Sequence, residues 1–457
     1  MAGLDSRLTV GVAAAEITPD RLLELQGYDR RTATGTLDPL EARAIYFDDG
    51  QCPIAIVTAD IIGLDRSSLD RIRAAAASAC DIPGEHVIVC CSHTHSGPAV
   101  QDLIDSVVDA DYLRWLEAAL AGVVVAASQS RRPATLAVGE GQMDFNVNRR
   151  LRTTEGTVMR ANPGGVVDRR VRVLRIDPAD APAAPGTVGG KPLPQADPIA
   201  LLYSYVCHMN ILGSRNLGYS ADYAGASRRF VEMAYRRTDS GGALAAYLPG
   251  CFGNVRPWVL APDGGFRQGT AHEVDVLGRC LGSEVVKTAE RVVGEPVDRL
   301  AFARRDVELR YASVAGEPEL RAARDGRLRF WAETLLARLQ RDGRLPASEW
   351  VEVAVCRLGH HWLVTLPGEA MLEIGLSIER GLVELGLAQP QRGDVVLALG
   401  YGSHDVGYLC TPAAMLEGGY EPAVSWPYYF RPGPFALDTE SRLVAAALQA
   451  ALEIGQG

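Results

Sequence analysis

Runs of apolar, β-branched residues bounded by Gly, Pro and Asp recur between segments of helical period, and that alternation is the strongest constraint on the fold. In the opening third, Leu8–Ile17, Ala42–Phe47 and Pro53–Ala59 read as strands. Ser67–Cys80 follows as a helix: Ser67 or Ser68 can cap it, and Leu69, Ile72 and Ala76 recur at helical spacing. His86–Cys91 returns to a strand and Tyr112–Ala127 to a helix. Further strands are expected at Val171–Ile176, Ile199–Val206, Arg299–Leu309, Trp350–Leu358 and Trp362–Leu366. Further helices are expected at Ala224–Arg237, Ala271–Arg291, Glu319–Arg338, Ala370–Leu385 and Ser441–Leu452. Asp177–Pro198, rich in Pro, Ala and Gly, reads as a surface excursion between two strands. Strands interleaved with helices, without an internal repeat, predict an α/β architecture with a substantially mixed sheet, as a single domain over 1–457.

A chain of 457 residues with 47% hydrophobic and 22% charged content can bury a core large enough to need no disulfide staples. The net charge of −10, with no basic run, argues against a nucleic-acid partner. No stretch approaches the ~18 consecutive apolar residues of a membrane span. Residues 1–7 show no basic region leading into an apolar one, so no signal peptide is expected. The nine cysteines form no CxxC pair, and Cys90-Cys91 lie within an apolar strand, which reads as reduced, mostly buried thiols. These features predict a cytoplasmic protein without stable membrane association; they leave its oligomeric state open.

The eight histidines are few enough for their placement to matter. His93 and His95 stand at i and i+2 where an apolar strand gives out into Ser-Gly-Pro. On a continuing strand they would share a face, and in a turn they can converge on one point. Strand ends opening into glycine-containing loops are common places for site residues in α/β proteins. Neutral imidazole is the commonest zinc ligand, and three protein ligands plus a water is the catalytic pattern. The pair therefore fits either a metal site or two hydrogen-bonded loop histidines. His208 ends a second apolar strand, a place that suits a ligand or a structural histidine equally. Glu369 follows Pro367-Gly368 where a helical pattern begins, so its carboxylate either answers the helix dipole or offers a hard oxygen ligand.

Beyond single residues, the chain resembles the neutral, or non-lysosomal alkaline, ceramidase family. The matching stretches begin with Gly11-Val12-Ala13-Ala14-Ala15-Glu16-Ile17-Thr18-Pro19, Gln26-Gly27-Tyr28 and Leu40-Glu41-Ala42-Arg43-Ala44. They continue with Ser92-His93-Thr94-His95-Ser96-Gly97-Pro98, Asn146-Val147-Asn148-Arg149, the strand ending at His208, and Ser220-Ala221-Asp222-Tyr223. The last are Gly250-Cys251-Phe252-Gly253-Asn254-Val255-Arg256-Pro257, Pro367-Gly368-Glu369, Gly407-Tyr408-Leu409-Cys410-Thr411-Pro412 and Tyr420-Glu421. Each is modest; their shared order from position 11 to 421 is specific. The resemblance implies a mixed-sheet catalytic domain of that family with one zinc, held by His93, His208, Glu369 and Tyr408. It places His95 beside the metal as a partner of substrate or water, and Arg149 and Tyr420 where the substrate carbonyl or developing oxyanion is bound.

Two features depart from the family's pattern. Its members carry a serine in a Gly-Asp-Val-Ser-Pro segment, proposed as the residue activated at the zinc; here Arg256 stands in that place. A guanidinium stays protonated and has no lone pair to give, so it is no acyl nucleophile. Metal-activated water is the expected attacker, with His95 taking or relaying a proton, Tyr420 and Arg149 donating toward the oxyanion, and Arg256 and Asn254 binding substrate. Cys251 is an alternative nucleophile, although Gly-Cys-Phe-Gly reads more plainly as a small packed residue. The second departure is length: family members carry a further C-terminal β-sandwich domain and many are secreted, whereas this sequence closes soon after the helical pattern at 441–452.

The expectation is a hydrolase cleaving the N-acyl amide of a soluble, acylated small molecule. Acyl transfer or ring closure on the same zinc, and a zinc-binding protein without catalysis, are the competing readings. Asp60 is expected as a loop or helix-entry aspartate or as a support to a ligand histidine, and Asp222 and Asn254 as groups orienting His208 or the metal water. His360-His361 read as surface turn residues, Trp258 as a packing residue, and His404-Asp405 as possible pocket lining.

Overall fold

The structure, a computed structural model, describes residues 8–104, 106–181, 186–188, 191–194, 196–236 and 242–455. Eight strands form the larger sheet, in the spatial order Leu244–Pro249, Ala200–Tyr205, Arg170–Pro178, Arg132–Gln142, Thr9–Glu16, Glu41–Asp48, Ile54–Ala59, Val87–Cys91. Neighbours run antiparallel except at the two edges, where Ala200–Tyr205 lies parallel to Leu244–Pro249 and Ile54–Ala59 parallel to Val87–Cys91. A four-stranded sheet, Leu300–Arg310, Ser348–Leu358, His361–Thr365 and Val396–Leu399, is mixed in the same way, with its last pair parallel.

The twofold alternation of side chains explains how these sheets stack. Ile45, Phe47, Ile54, Ile56, Ile88 and Cys90 of the larger sheet share one core with Cys356, Leu358, Leu363, Leu397 and Leu399 of the smaller. The residues between them, such as Ala44, Tyr46, Val57, Val87 and Val89, turn the other way onto Leu69, Ile72, Leu116 and Leu120 of the helices Arg66–Ala79 and Ala110–Gln129. At the far end of that sheet, Leu201, Tyr203 and Tyr205 pack under the helices Asp222–Ala234 and Ala271–Ala289. On the smaller sheet, Val364 and Val353 meet Ile374 and Ile378 of Leu372–Glu384 and Leu443 and Ala447 of Thr439–Gly455. Two sheets face each other with helices on both outer faces, the mixed α/β architecture the sequence predicts. With both faces covered, central strands read as unbroken apolar runs, which is why they were legible.

Several expectations need correcting. Arg132–Gln142, Leu244–Pro249 and Val396–Leu399 are strands that the pattern reading passes over. In Arg132–Gln142, Gly139 and Gly141 mimic a turn signal, yet they are there for clearance: a Cβ on Gly139 would lie 2.8 Å from Thr288 Cγ2, and one on Gly141 would strike Glu284. The expected helix 319–338 is two helices, Glu317–Ala323 and Arg329–Asp342, interrupted around Gly326. The helix expected from Ala370 begins at Leu372, because Glu369–Ala370 is a short strand paired with Tyr408–Leu409. His361 is buried at a strand start rather than lying on the surface, and Trp258 is 41% exposed rather than packed. Of the excursion, Asp177 and Pro178 complete a strand and Thr187–Val188 pairs with Lys191–Pro192; 182–185, 189, 190 and 195 lie outside the described residues, as does Arg237.

Candidate metal centre

The site gathers just beyond the ends of strands from both sheets. Val87–Cys91 leads to His93, Ala200–Tyr205 to His208, Leu244–Pro249 to Phe252, His361–Thr365 to Glu369, and Val396–Leu399 to Tyr401. At His93 the chain breaks direction: its φ is 61°, a left-handed conformation uncommon outside glycine. The turn is held by His93 N–H donating to Ile61 O at 3.0 Å and by the ring, whose Nδ1 lies 2.8 Å from Ile62 O. Gly368, φ 64°, makes the corresponding turn before Glu369; a Cβ there would lie 2.5 Å from Gly407 O. The short strand that follows pairs Glu369 directly with Tyr408.

Three imidazoles share one arrangement. Each directs Nδ1 at a backbone carbonyl: His93 at Ile62 (2.8 Å), His95 at Gly27 (2.9 Å) and His208 at Phe252 (3.4 Å). A carbonyl only accepts, so Nδ1 carries the proton in all three rings. Nε2 of His95 and His208 is left with its lone pair, while burial would lower His93 but the facing Glu369 carboxylate raises it above the ordinary imidazole value. Those Nε2 atoms converge. His95 Nε2 and His208 Nε2 are 3.1 Å apart, and Glu369 Oε2 lies 3.3 Å from His93 Nε2 and 3.8 Å from that of His208. Two lone pairs that close repel unless a cation lies between them. All four side chains are buried, and the three histidines can place their ligand atoms within 4.8 Å of one another. Imidazoles beside a carboxylate, each aimed by a second hydrogen bond, are a donor set that suits a divalent metal ion, which would displace any proton shared between His93 and Glu369. Burial pushes His95 and His208 well below the ordinary imidazole pKa, keeping them in the ligand form.

The carboxylate is itself held on both oxygens. Tyr429 donates its hydroxyl to Glu369 Oε1, and Tyr401 OH lies 3.4 Å from Oε2. Burial alone would raise Glu369, but the neighbouring His93 and the Tyr429 hydroxyl hold it below its usual range. Arg149 stands behind Tyr408: Nη2 donates to the phenol oxygen at 2.8 Å and Nε to Glu421 Oε1 at 2.8 Å. Glu421 also receives Arg150 Nη1 on its other oxygen at 2.6 Å, so one buried carboxylate bridges two guanidiniums. Burial drives the Tyr408 phenol up while Arg149 draws it down. Because Arg149 already fills one acceptor position on the Tyr408 oxygen, the phenolic proton is directed elsewhere.

A cleft of about 430 Å³ opens over this floor, lined by His93, His95, Glu369, Tyr408 and Tyr420 together with Tyr28 and Tyr429. The Tyr420 ring meets that of Tyr408 edge to face at 5.7 Å, and the Tyr28 ring is 4.8 Å from that of His95. The structure therefore brings His93, His95, His208, Glu369, Tyr408, Arg149 and Tyr420 into one neighbourhood. Asn254 is placed differently from a substrate contact. Its side-chain Nδ2 donates to Glu373, its Oδ1 receives Leu372 N–H and its backbone carbonyl receives Arg149 N–H, so it ties a helix start to the site. Asp222 accepts from the amides of Leu212 and Tyr223, and His208 is oriented by a carbonyl instead. Asp60 pairs with buried Arg228 at 2.9 and 2.5 Å. The Cys251 thiol, packed beside Ala398 O, is pushed up to about 12 by burial, which removes it as a nucleophile. Asp405, in contrast, belongs to this region: burial first and then Glu369 push it up to about 7. Tyr401, Tyr429 and Glu421 carry no assigned part in the sequence reading. Residues in loops and single helical turns have no periodicity to betray them, and only the block Tyr420-Glu421 was a pointer.

The sequence matches no protein-family model and no curated protein. Its fold does match solved structures. Against the neutral ceramidase from Pseudomonas aeruginosa the TM-score is 0.72 at 16% identity, over 99% of this chain and 75% of that one. Against a ceramidase complexed with C2 it is 0.73 at 17% identity, over 99% of this chain and 76% of the other. Both sheets and the strand ends that carry the site lie within the matched span, and the protein has the neutral ceramidase-like fold.

Proposed function

We propose that the protein is a zinc-dependent amidohydrolase that cleaves the N-acyl bond of a small acylated substrate, with the whole chain acting as one catalytic domain. The observation that carries this reading is the convergence of three Nδ1-protonated imidazoles and Glu369 on one point at the floor of a cleft. In this reading His93, His208, Glu369 and Tyr408 hold the ion. Zinc, when bound, supplies Lewis acidity toward the scissile carbonyl and the attacking water. The chain's own groups do the rest. His95, kept neutral by burial and fixed by Nδ1–H on Gly27 O, offers Nε2 as the acceptor for a proton. The Tyr420 hydroxyl, on the cleft wall and kept protonated by burial, is the donor toward the oxyanion. Arg149 acts through Tyr408, favouring its phenolate, and Asn254 and Glu421 set where that guanidinium stands. The shared fold with two ceramidases agrees with an amide as the bond cleaved.

The test is metal analysis of the purified protein combined with a screen of N-acyl amines and N-acyl amino acids. One zinc per chain and amine release that stops with a chelator and returns with zinc are expected. Protein that takes up no divalent metal in zinc-replete medium would refute the proposal. Isotopically labelled water separates the readings further, since hydrolysis puts the label into the released acid whereas acyl transfer and ring closure do not.

A further inference from the structure

Arg256 is an uncompensated charge. Its guanidinium carbon lies 4.2 Å from the centre of the Phe266 ring, and its Nε is buried without a hydrogen-bond partner. Among the described residues its side chain makes no hydrogen bond and no ion pair. Several buried arginines are paired: Arg73 reaches Glu352, Arg149 and Arg150 reach Glu421, Arg175 reaches Asp177 and Arg228 reaches Asp60. Arg431, whose Nε is likewise buried without a partner, stacks on Tyr429 and Phe435. The Arg256 side chain is half-buried, and a guanidinium partly withdrawn from water without a counter-charge suits an anion that arrives from solution.

The strand register sets Arg256 beside Arg149, which donates to Tyr408 of the cleft. Val255–Pro257 pairs antiparallel with Asn146–Thr153, with Arg256 opposite Val147, and the ladder continues where Arg149 N–H donates to Asn254 O at 2.9 Å. Residues directly opposite share a face, and so do residues two apart, which puts Arg256 and Arg149 on the same face as diagonal neighbours. Tyr28 on the cleft wall is within electrostatic reach of Arg256, as are Arg149 and Tyr408. Arg31, whose guanidinium carbon is 4.8 Å from the Tyr28 ring centre, also leaves a buried nitrogen, Nη1, without a partner. Two under-satisfied guanidiniums thus attend Tyr28 beside the converging imidazoles.

We propose that Arg256 receives a carboxylate of the substrate, so that the compound cleaved is an anionic amide of the N-acyl amino acid class; this rests on the amidohydrolase reading of the cleft. A bidentate guanidinium–carboxylate pair in a partly dry site discriminates a carboxylate from its uncharged amide by about 10- to 100-fold. The probes are N-(octylsulfonyl)glycine and its primary amide, which resist hydrolysis and differ only in that charge. Calorimetric titration of the zinc-loaded protein is expected to give a Kd ratio of about 10 to 100 in favour of the acid. In Arg256→Met the ratio falls toward one, and in Arg256→Lys part of it returns. Equal affinity of the wild-type protein for the two probes, including no detectable binding of either, overturns the proposal, as does a ratio that survives Arg256→Met. Binding is read without turnover, so the two ideas fail separately. Charge-dependent binding without any amide hydrolysis sinks the enzymatic reading and keeps the anion site; hydrolysis without charge preference does the reverse.

Discussion

Replacing Glu421 by glutamine tests whether the group behind the candidate metal centre is as tightly coupled as its contacts imply. Glu421 is 3% exposed and is shared by Arg149 at 2.8 Å and Arg150 at 2.6 Å. Glutamine keeps the shape but leaves two buried guanidiniums facing a neutral amide, one of them an NH2 donor against a donor. Breaking a buried pair by removing one partner costs about 3–5 kcal/mol. Unfolding entropy of roughly 2.1 cal/mol/K per residue makes about 1 kcal/mol per degree for a chain of 457 residues. A fall of about 3–5 °C in Tm is therefore expected by differential scanning calorimetry. Arg150→Met removes the other arm, which reaches Glu421, Ala414 O and Gly418 O and touches no cleft residue named here, so it should cost similar stability. The two variants part on activity. Glu421→Gln frees Arg149 from its anchor beside Tyr408 and should lower kcat/KM by about 10-fold or more, whereas Arg150→Met should leave it within about twofold. Glu421→Gln protein with unchanged Tm and full turnover would show that the bridge does not position Arg149, and the account of Tyr408 would fall with it.

Other outcomes follow from the same geometry. His93→Ala and His208→Ala should each abolish stoichiometric metal binding and Tyr408→Phe should weaken it by about 10- to 100-fold, measured by elemental analysis and competition with a chelating dye. Zinc at 100 times its Kd adds about 2.7 kcal/mol, so metal-free protein should unfold roughly 3 °C lower than loaded protein; an unchanged Tm would mean the ion does not bind the folded site. Gly368→Ala places a Cβ 2.5 Å from Gly407 O at φ 64°, and should destabilise the protein by about 1–3 kcal/mol in urea unfolding while lowering metal affinity. His361 accepts Val395 N–H at 3.3 Å and burial pushes it down to about 3. The unfolded histidine titrates near 6.5, so between those values only the unfolded chain takes the proton, and stability drops as pH falls through that window and is level above it. His361→Phe should flatten the dependence between pH 6.5 and 4 relative to wild type; parallel urea midpoints for the two proteins would refute it.

The layers were legible because strands covered on both faces announce themselves: Ile54–Ala59 and Val87–Cys91 are buried throughout and apolar but for Thr58. The strand Arg132–Gln142 was hidden for a reason visible only in three dimensions, since its glycines admit the helix Ala271–Ala289 at close range. At the site, His93 and His208 stood out because polar rings at the ends of apolar strands are conspicuous. Glu369 was ambiguous in sequence; the helix-dipole reading gives way because the residue belongs to a short strand with Tyr408 and its carboxylate faces imidazoles. The phenols of Tyr401 and Tyr429 were illegible. They reach Glu369 from a loop after Val396–Leu399 and from the one-turn helix Trp426–Tyr429, and nothing in local pattern links those segments to position 369.

The centre also explains why so few residues need to be specified for it to form. Every imidazole is aimed by main-chain carbonyls, those of Ile62, Gly27 and Phe252, rather than by an acid side chain. Such carbonyls are free for this duty only where a ladder has just ended and no neighbouring strand claims them. Ile62 follows Ile54–Ala59, and Phe252 follows Leu244–Pro249, so the acceptors are products of the topology as much as of sequence. A chain of this fold fixes the tautomer of each ring once its strands stop at the right place, and side-chain identity is demanded mainly at the rings, at Glu369 and its strand partner Tyr408, and at the glycine before Glu369. Substitutions within the layers that leave strand lengths intact should therefore preserve the donor set, while a one-residue insertion between Ala59 and Ile62 would misdirect Nδ1 of His93 and dismantle it.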